Sequence, residues 1–399
     1  MKKLLIFIIA CVLLTGCSAK SAAVNGPKTD ITGVTGGTEA SSAISQNQSG
    51  SSQGTQTQAS DSQISREDEG WFTGAIGTSK IHAKLDISGN DISGVYYYDK
   101  YKSNIKLEGN LENEVKDYRT ICLNEDTSKD GEFYGILKTP DYMEGYWREG
   151  EKMYPMYLIK SGSGIKLPLQ PDAAARQFDG SWMGSKSNYY IASYVEIQVL
   201  FKDLLYYDLE SNNGANLGSL TGLALIDQEK AEAKLSDEAS GDAYFNFNVN
   251  GGKLKLESDN YSYMCGAGVS HMADYVKGEI DIPVPDPQEV GIVDTREQAD
   301  KFRSMVGDMY EEFISLTQAT SEEEYILDGN KVSVRRSFLR GLADECIYIV
   351  SDKHLYAAAV SETGIEYFTD DAVYADKLPD PIKKWADDKS ELNINYNAR

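Results

Sequence analysis

The sequence predicts a mostly β, multidomain protein: two small antiparallel β barrels or sandwiches followed by a small α+β domain. Three observations predict it. Two long stretches, about 67–170 and 171–286, alternate apolar and polar residues with period two, punctuated by Gly, Asn, Asp and Pro. From Thr295 the apolar spacing becomes helical, and strand-like runs then resume in the 287–399 segment. Between Ser18 and Arg66, by contrast, almost no large apolar residue occurs, so that stretch cannot build a core.

The chain opens on Met1-Lys2-Lys3 and an unbroken apolar run from Leu4 to Leu14. At about 1.5 Å per residue this run covers roughly 16 Å, about half of a ~30 Å hydrocarbon core. The run is therefore short for a permanent spanning helix, and residues 1–16 read as a secretory signal peptide. The residues Leu14-Thr15-Gly16-Cys17 resemble the lipobox of bacterial lipoproteins. That resemblance implies cleavage before Cys17 and diacylglycerol on its thiol, so that Cys17 anchors the mature chain. Each buried CH₂ contributes about 0.8 kcal/mol, so two or three acyl chains hold a protein at a membrane without a helix. The expected location is the extracytoplasmic face of the cell membrane, lipid-anchored.

Residues 17–66 then form the lipidated root and a tether rich in Ser, Gly, Gln and Thr, with a reach of roughly 35–42 Å by the square-root law. Its charges cancel: Lys20, Lys28 and Arg66 against Asp30, Glu39 and Asp61. The whole chain carries −23, and removal of Lys2 and Lys3 with the leader makes the mature protein more acidic still. This disfavours nucleic acid and anionic lipid as partners and suits a basic protein or a cationic ligand.

In the first β segment Ile81, Ala83, Leu85 and Ile87 lead into Gly89-Asn90, and Ile92, Gly94, Tyr96 and Tyr98 lead out. With Gly89-Asn90 as a two-residue turn, Ile87 faces Ile92, Leu85 faces Gly94, Ala83 faces Tyr96 and Ile81 faces Tyr98. All the apolar residues then share one face. Further runs at Ile105–Leu111, Thr120–Leu123, Phe133–Leu137, Met143–Trp147 and Met156–Ile159 extend a meander. The in-strand glycines Gly94, Gly109, Gly135 and Gly145 imply strong curvature.

The second segment opens near Trp182, with strands about Ala192–Val199, Leu204–Leu209, Ser219–Ile226, Tyr244–Val249 and Lys253–Glu257. An Asn250-Gly251 turn would set Phe247 against Leu254 and Phe245 against Leu256. In the third segment Thr295-Arg296-Glu297-Gln298 fits a capping box. Ala299, Phe302, Val306, Met309, Phe313 and Leu316 continue as one amphipathic stripe. Strands follow at Lys331–Arg335, Glu345–Val350, Leu355–Val360 and Ile365–Thr369, and Asp380-Pro381 starts a short helix carrying Ile382 and Trp385.

No catalytic, cofactor-binding or metal-binding residue is assigned. The three histidines, His82, His271 and His354, fall one per folded segment, without metal spacing. On the hairpin register His82 pairs with Tyr97 on the polar face. Two stretches imitate a calcium loop. In one, Asp126, Ser128, Asp130 and Gly131 lead to Leu137 where a carboxylate is needed; in the other, Asn246, Asn248 and Asn250 are neutral, with Glu257 at the twelfth position. Turn chemistry explains both. Cys122, Cys265 and Cys346 lie far apart and are expected as three buried thiols, the economy of disulfides being that of exported Gram-positive proteins.

The residues Gly180-Ser181-Trp182 and Cys265-Gly266-Ala267-Gly268-Val269 resemble those of small exported barrels of the lysozyme-inhibitor kind. That resemblance implies an acidic inhibitor suited to a basic lysozyme. The leading expectation is non-enzymatic binding, at the cell surface, of a basic protein, an envelope component or a glycan. A structural or assembly component of the envelope is one alternative. A hydrolase is the other, and it requires His271 or His354 to meet a carboxylate and a serine. Replacing the anchor, Cys17→Ala, should release the protein from the membrane fraction; full retention after fractionation and immunoblotting would refute lipid anchoring.

Overall fold

In the computed structural model, which describes residues 70–115, 118–126, 131–237, 241–260, 265–342 and 345–398, the first hairpin forms in the predicted register. Ile87 faces Ile92, Leu85 faces Gly94, Ala83 faces Tyr96 and Ile81 faces Tyr98. Gly89 has φ +66° and is the one central turn residue in the left-handed region, the pattern of a type II′ turn. The leader, Cys17 and the tether lie outside the described residues.

The strands of this segment are β1 (Trp71–Ile76), β2 (Ser79–Ser88), β3 (Asp91–Tyr98), β4 (Ile105–Val115), β5 (Tyr118–Glu125), β6 (Glu132–Thr139), β7 (Tyr142–Glu149) and β8 (Lys152–Lys160). Each pairs antiparallel with the next, and β8 returns to β1, so the sheet closes into an up-and-down barrel. Closure removes both edges. Ala83, Tyr96, Leu123, Phe133, Met156 and Leu158 fill the interior. The in-strand glycines are required by close approach. A Cβ on Gly109 would lie 1.8 Å from the Cys122 carbonyl oxygen, and one on Gly145 would lie 2.1 Å from that of Tyr134.

The second barrel comprises β9 (Gly180–Gly184), β10 (Ile191–Phe201), β11 (Leu204–Asn213), β12 (Asn216–Asp227), β13 (Lys230–Asp237), β14 (Gly241–Asn250), β15 (Lys253–Ser258) and β16 (Ala273–Lys277), closed by β16 on β9. Trp182, Tyr207, Phe245, Phe247, Leu254 and Tyr275 lie within it. The β14–β15 register differs from expectation by two residues. Phe247 faces Leu256 and Val249 faces Leu254, because the turn is Gly251-Gly252 rather than Asn250-Gly251. Both glycines have positive φ, +57° and +76°, as a type I′ turn demands. A shift of two keeps every side chain on its face, so facial separation alone could not detect it.

The third segment is a six-stranded sheet of β17 (Ala319–Leu327), β18 (Asn330–Phe338), β19 (Cys346–Val350), β20 (Leu355–Ser361), β21 (Gly364–Thr369) and β22 (Ile394–Ala398), the last parallel to β21. Helices α1 (Arg296–Val306) and α2 (Tyr310–Ser315) cover one face, and α3 (Asp380–Asp387) covers the other. The capping box on α1 is present in both directions. The predicted single helix breaks after Val306 at Gly307, whose φ is +56°. Its apolar stripe survives because Phe302 and Phe313 meet again over Tyr348.

The modules are joined by packing. Ile136 and Tyr146, on the outside of the first barrel, are buried against Leu200, Phe201, Leu204 and Leu223 of the second. At the other end Tyr189 and Tyr190 enter the core under α1 and α2. The Tyr190 hydroxyl lies 2.7 Å from the Ile314 carbonyl oxygen.

Glycines held by contact and by turn geometry should respond differently to substitution. Gly109→Ala should destabilise the protein by about 2–3 kcal/mol through the clash with Cys122. Gly150→Ala should cost about 1–2 kcal/mol, since Gly150 has φ +58° but open space around it. Urea denaturation of the two variants measures the order; the reverse order would contradict this reading of the curvature.

Candidate functional site

Of the three histidines, His82 sits opposite Tyr97 as expected, with ring centroids 5.0 Å apart, and lies 3.6 Å from Asp99. His354 is half-exposed, its ring 3.6 Å from Asp370. Its neighbour Ser351 spends its hydroxyl on the His354 backbone rather than on the ring. His271 is fully buried; its Nδ1 lies 3.0 Å from Ser211 Oγ, and its Nε2 has no hydrogen-bond partner. A ring joined to both a serine and a carboxylate, the arrangement the hydrolase alternative requires, forms at neither His271 nor His354 among the described residues.

Of the calcium-loop imitations, residues 127–130 lie outside the described residues. Asn246 and Asn248 are strand residues paired with Glu257 and Lys255. No cluster of three or more His, Cys, Asp or Glu with metal-holding geometry occurs among the described residues. The expectation of three buried thiols holds for Cys346, a free thiol pushed up to about 12 by burial. Cys265 is a free thiol but only half-buried, and Cys122 is fully buried in the first barrel. In the Tyr96-Tyr97-Tyr98 run, Tyr96 points into the barrel and donates to Glu125 Oε1 at 2.5 Å.

The site that sequence reasoning missed lies where the two barrels meet. Round barrels touch along a strip and diverge beside it, and here the divergence leaves a cleft of about 540 Å³. The ends of β6 and β7 form one wall, and the β10–β11 and β12–β13 turns form the other. The connector after β8 crosses the opening. There Leu167 and Leu169 are 66% and 65% exposed, so the rim is apolar. The Leu169 carbonyl accepts from Lys202 N at 2.9 Å, fixing the connector to the second barrel. Asp172 anchors its far end by accepting from Ala174 N and Ala175 N and pairing with Lys202 at 3.0 Å. The Ala175 amide, with Lys202, holds its carboxyl below the usual range.

At the cleft's floor is a buried ionic cluster. Glu144 points outward from β7 between inward Met143 and Gly145, yet the second barrel leaves it only 1% exposed. It accepts from Tyr142 and is paired with Lys138, whose Nζ also lies 2.5 Å from Asp203 Oδ2 of the second barrel. One ammonium therefore bridges the two barrels. Burial pushes the Glu144 carboxyl up despite the pull of Lys138. Burial alone would lower Lys138, but Glu144 and Asp203 outweigh it and its net shift is upward. Further along the seam Arg148 binds Glu132 at 2.8 Å, while burial raises Asp208 against the pull of Arg148. The cleft thus pairs a charged floor with a greasy rim, suited to a ligand that carries both kinds of surface.

Removing one member of this cluster leaves the other buried and unpaired. Lys138→Met should cost about 3–5 kcal/mol at pH 7, and Lys138→Met with Glu144→Leu should restore most of it. Because the pKa of Glu144 is already raised, its carboxyl takes a proton readily in acid, so the Lys138→Met deficit should shrink as pH falls. Urea titrations at pH 7 and pH 5 test both statements; an unaltered midpoint at pH 7 would rule out the bridge. No protein-family model matches the chain, and no curated protein matches it. Among solved structures, the beta chain of DNA polymerase III from Streptococcus pneumoniae aligns over 75% of this chain and 90% of that one, at 8% identity and a TM-score of 0.10, a value too low to carry any conclusion.

Proposed function

We propose that the chain is a lipid-anchored binding protein of the extracytoplasmic face that receives a cationic partner protein at the inter-barrel cleft. The observation that carries this reading is the pair of exposed leucines, Leu167 and Leu169, on a connector pinned across a 540 Å³ opening. Large apolar side chains held out in water beside a charged floor suit a contact surface better than a spacer. Asp172, Asp203 and Asp227 line the same opening with Lys138, Lys166 and Lys202; Asp172 pairs with Lys202 and Asp203 with Lys138. The overall charge of −23 favours approach of a basic protein by long-range attraction. The lipobox supplies the address, and the tether lifts the barrels off the membrane. A basic lysozyme is the partner class that the resemblance of the second barrel implies.

Placing a photo-crosslinking residue at position 167 of the lipoprotein in intact cells tests this, with the same residue at exposed Tyr101 as control. Position 167 should capture a defined protein rich in Lys and Arg, and Leu169→Ser should reduce that capture at least tenfold. Equal capture from both positions, or capture from 167 that Leu169→Ser leaves unchanged, would move the partner away from the cleft.

A further inference from the structure

His271 occupies the end of the second barrel that meets the α+β domain. Its imidazole is fully buried, yet among the described residues its ring has a single partner, Ser211 Oγ at 3.0 Å from β11. A neutral ring tolerates this: one nitrogen meets the serine and the other is merely unpaired. A protonated ring would carry two N–H donors and a full charge, with only one acceptor in reach. The groups around it offer no compensation. They are Ser211 from β11, the Gly218 backbone from β12, the Cys265 thiol, and Tyr275 from β16, whose hydroxyl donates to the His271 carbonyl at 2.6 Å. The Arg340 guanidinium of the α+β domain lies against Gly268 of the same segment and has the wrong sign.

The segment that carries His271 is also part of the joint between the modules. Asn216 Nδ2 donates to the Ala267 carbonyl at 2.8 Å, and Asn213 Nδ2 donates to that of Gly268 at 2.9 Å. The other end of the Asn213 amide, Oδ1, accepts from Gln318 of the α+β domain at 3.1 Å. Gln318 in turn accepts from Arg340 N at 3.1 Å, and the Arg340 carbonyl accepts from Ala215 N at 2.8 Å. One amide side chain thus ties the His271 segment to the neighbouring domain.

We propose that His271 makes this joint acid-sensitive: proton uptake forces residues 265–271 out of the barrel end and loosens the hold of Asn213 on the α+β domain. The protein gains an acid-responsive hinge, with the anchored barrels on one side and the sheet domain on the other. Burial lowers the His271 pKa from 6.5 to about 4, so the closed joint is fully stable above pH 6.5 and weakens as pH falls toward 4. Linkage then sets the size of the effect. Between pH 7.5 and pH 5.0 the opening equilibrium should rise roughly 15- to 30-fold.

Hydrogen exchange on the full mature lipoprotein in detergent, corrected for the intrinsic pH dependence of amide exchange, measures this directly. Peptides covering 265–275 should open about 15- to 30-fold more at pH 5.0 than at pH 7.5, and those covering 338–342 should follow. Peptides from β6 and β8 should hold, and in His271→Gln the pH dependence should vanish. An unchanged 265–275 segment, the same response in His271→Gln, or an equal rise in all three modules would overturn the proposal. Should that variant not fold, the imidazole resonances of the wild-type protein decide, with His271 identified by elimination using His82→Gln and His354→Gln. A His271 ring that titrates near 6.5 in the folded protein would also overturn it.

Discussion

The arrangement of this protein depends on apolar residues that face outward from a closed barrel. A small barrel satisfies its inward side chains by itself, and its outward ones normally meet water. Ile136 and Tyr146 face outward and are nevertheless apolar or aromatic, so they must be covered, and Leu200, Phe201, Leu204 and Leu223 cover them. The ring of Tyr146 stands edge-on to that of Tyr206 at 5.2 Å between centroids. Once the two convex surfaces touch there, the cleft beside the strip follows from their curvature. The burial of Glu144 follows too, and with it the need for Lys138 to reach both Glu144 and Asp203.

The second joint is built differently. It relies on backbone approach, and glycines make that approach possible. A Cβ at Gly214 would meet the Arg340 carbonyl oxygen at 2.5 Å, and one at Gly341 would meet Asn216 Oδ1 at 2.7 Å. Hydrogen bonds through Asn213, Gln318 and Tyr190 then hold the two surfaces in register. The inter-barrel seam buries the Glu144 carboxyl, which burial raises, whereas the second joint wraps a buried imidazole, which burial lowers. The two seams should therefore respond to acid with opposite sign.

Much of the fold was legible because one-sided apolar alternation leaves little freedom. The β2–β3 register, the two antiparallel β modules and the α1 capping box could all be read from residue order. Six strands were not legible: β1, β9, β13, β16, β17 and β22. In β13 the inward residues are Ala231, Ala233 and Leu235, and alanine contrasts weakly with its charged neighbours. In β17 residues 321–324 are all exposed, so an edge strand shows no period at all. The β14–β15 register failed for a different reason, since the facial pattern repeats every two residues. The cleft was beyond reach because it joins Lys138 and Glu144 to Asp203 and to a connector of irregular structure. Its trace in the sequence was an outward Ile136 and Tyr146 and a Leu-Pro-Leu run outside any strand.

If outer-face packing makes one body of the two barrels, they should unfold together. Scanning calorimetry of the mature chain measures this directly. A single endotherm should cover both barrels, with calorimetric and van't Hoff enthalpies in agreement, and Ile136→Asp should lower the whole of it. Two separate barrel transitions, or an Ile136→Asp variant that melts the first barrel early and leaves the second untouched, would contradict the account.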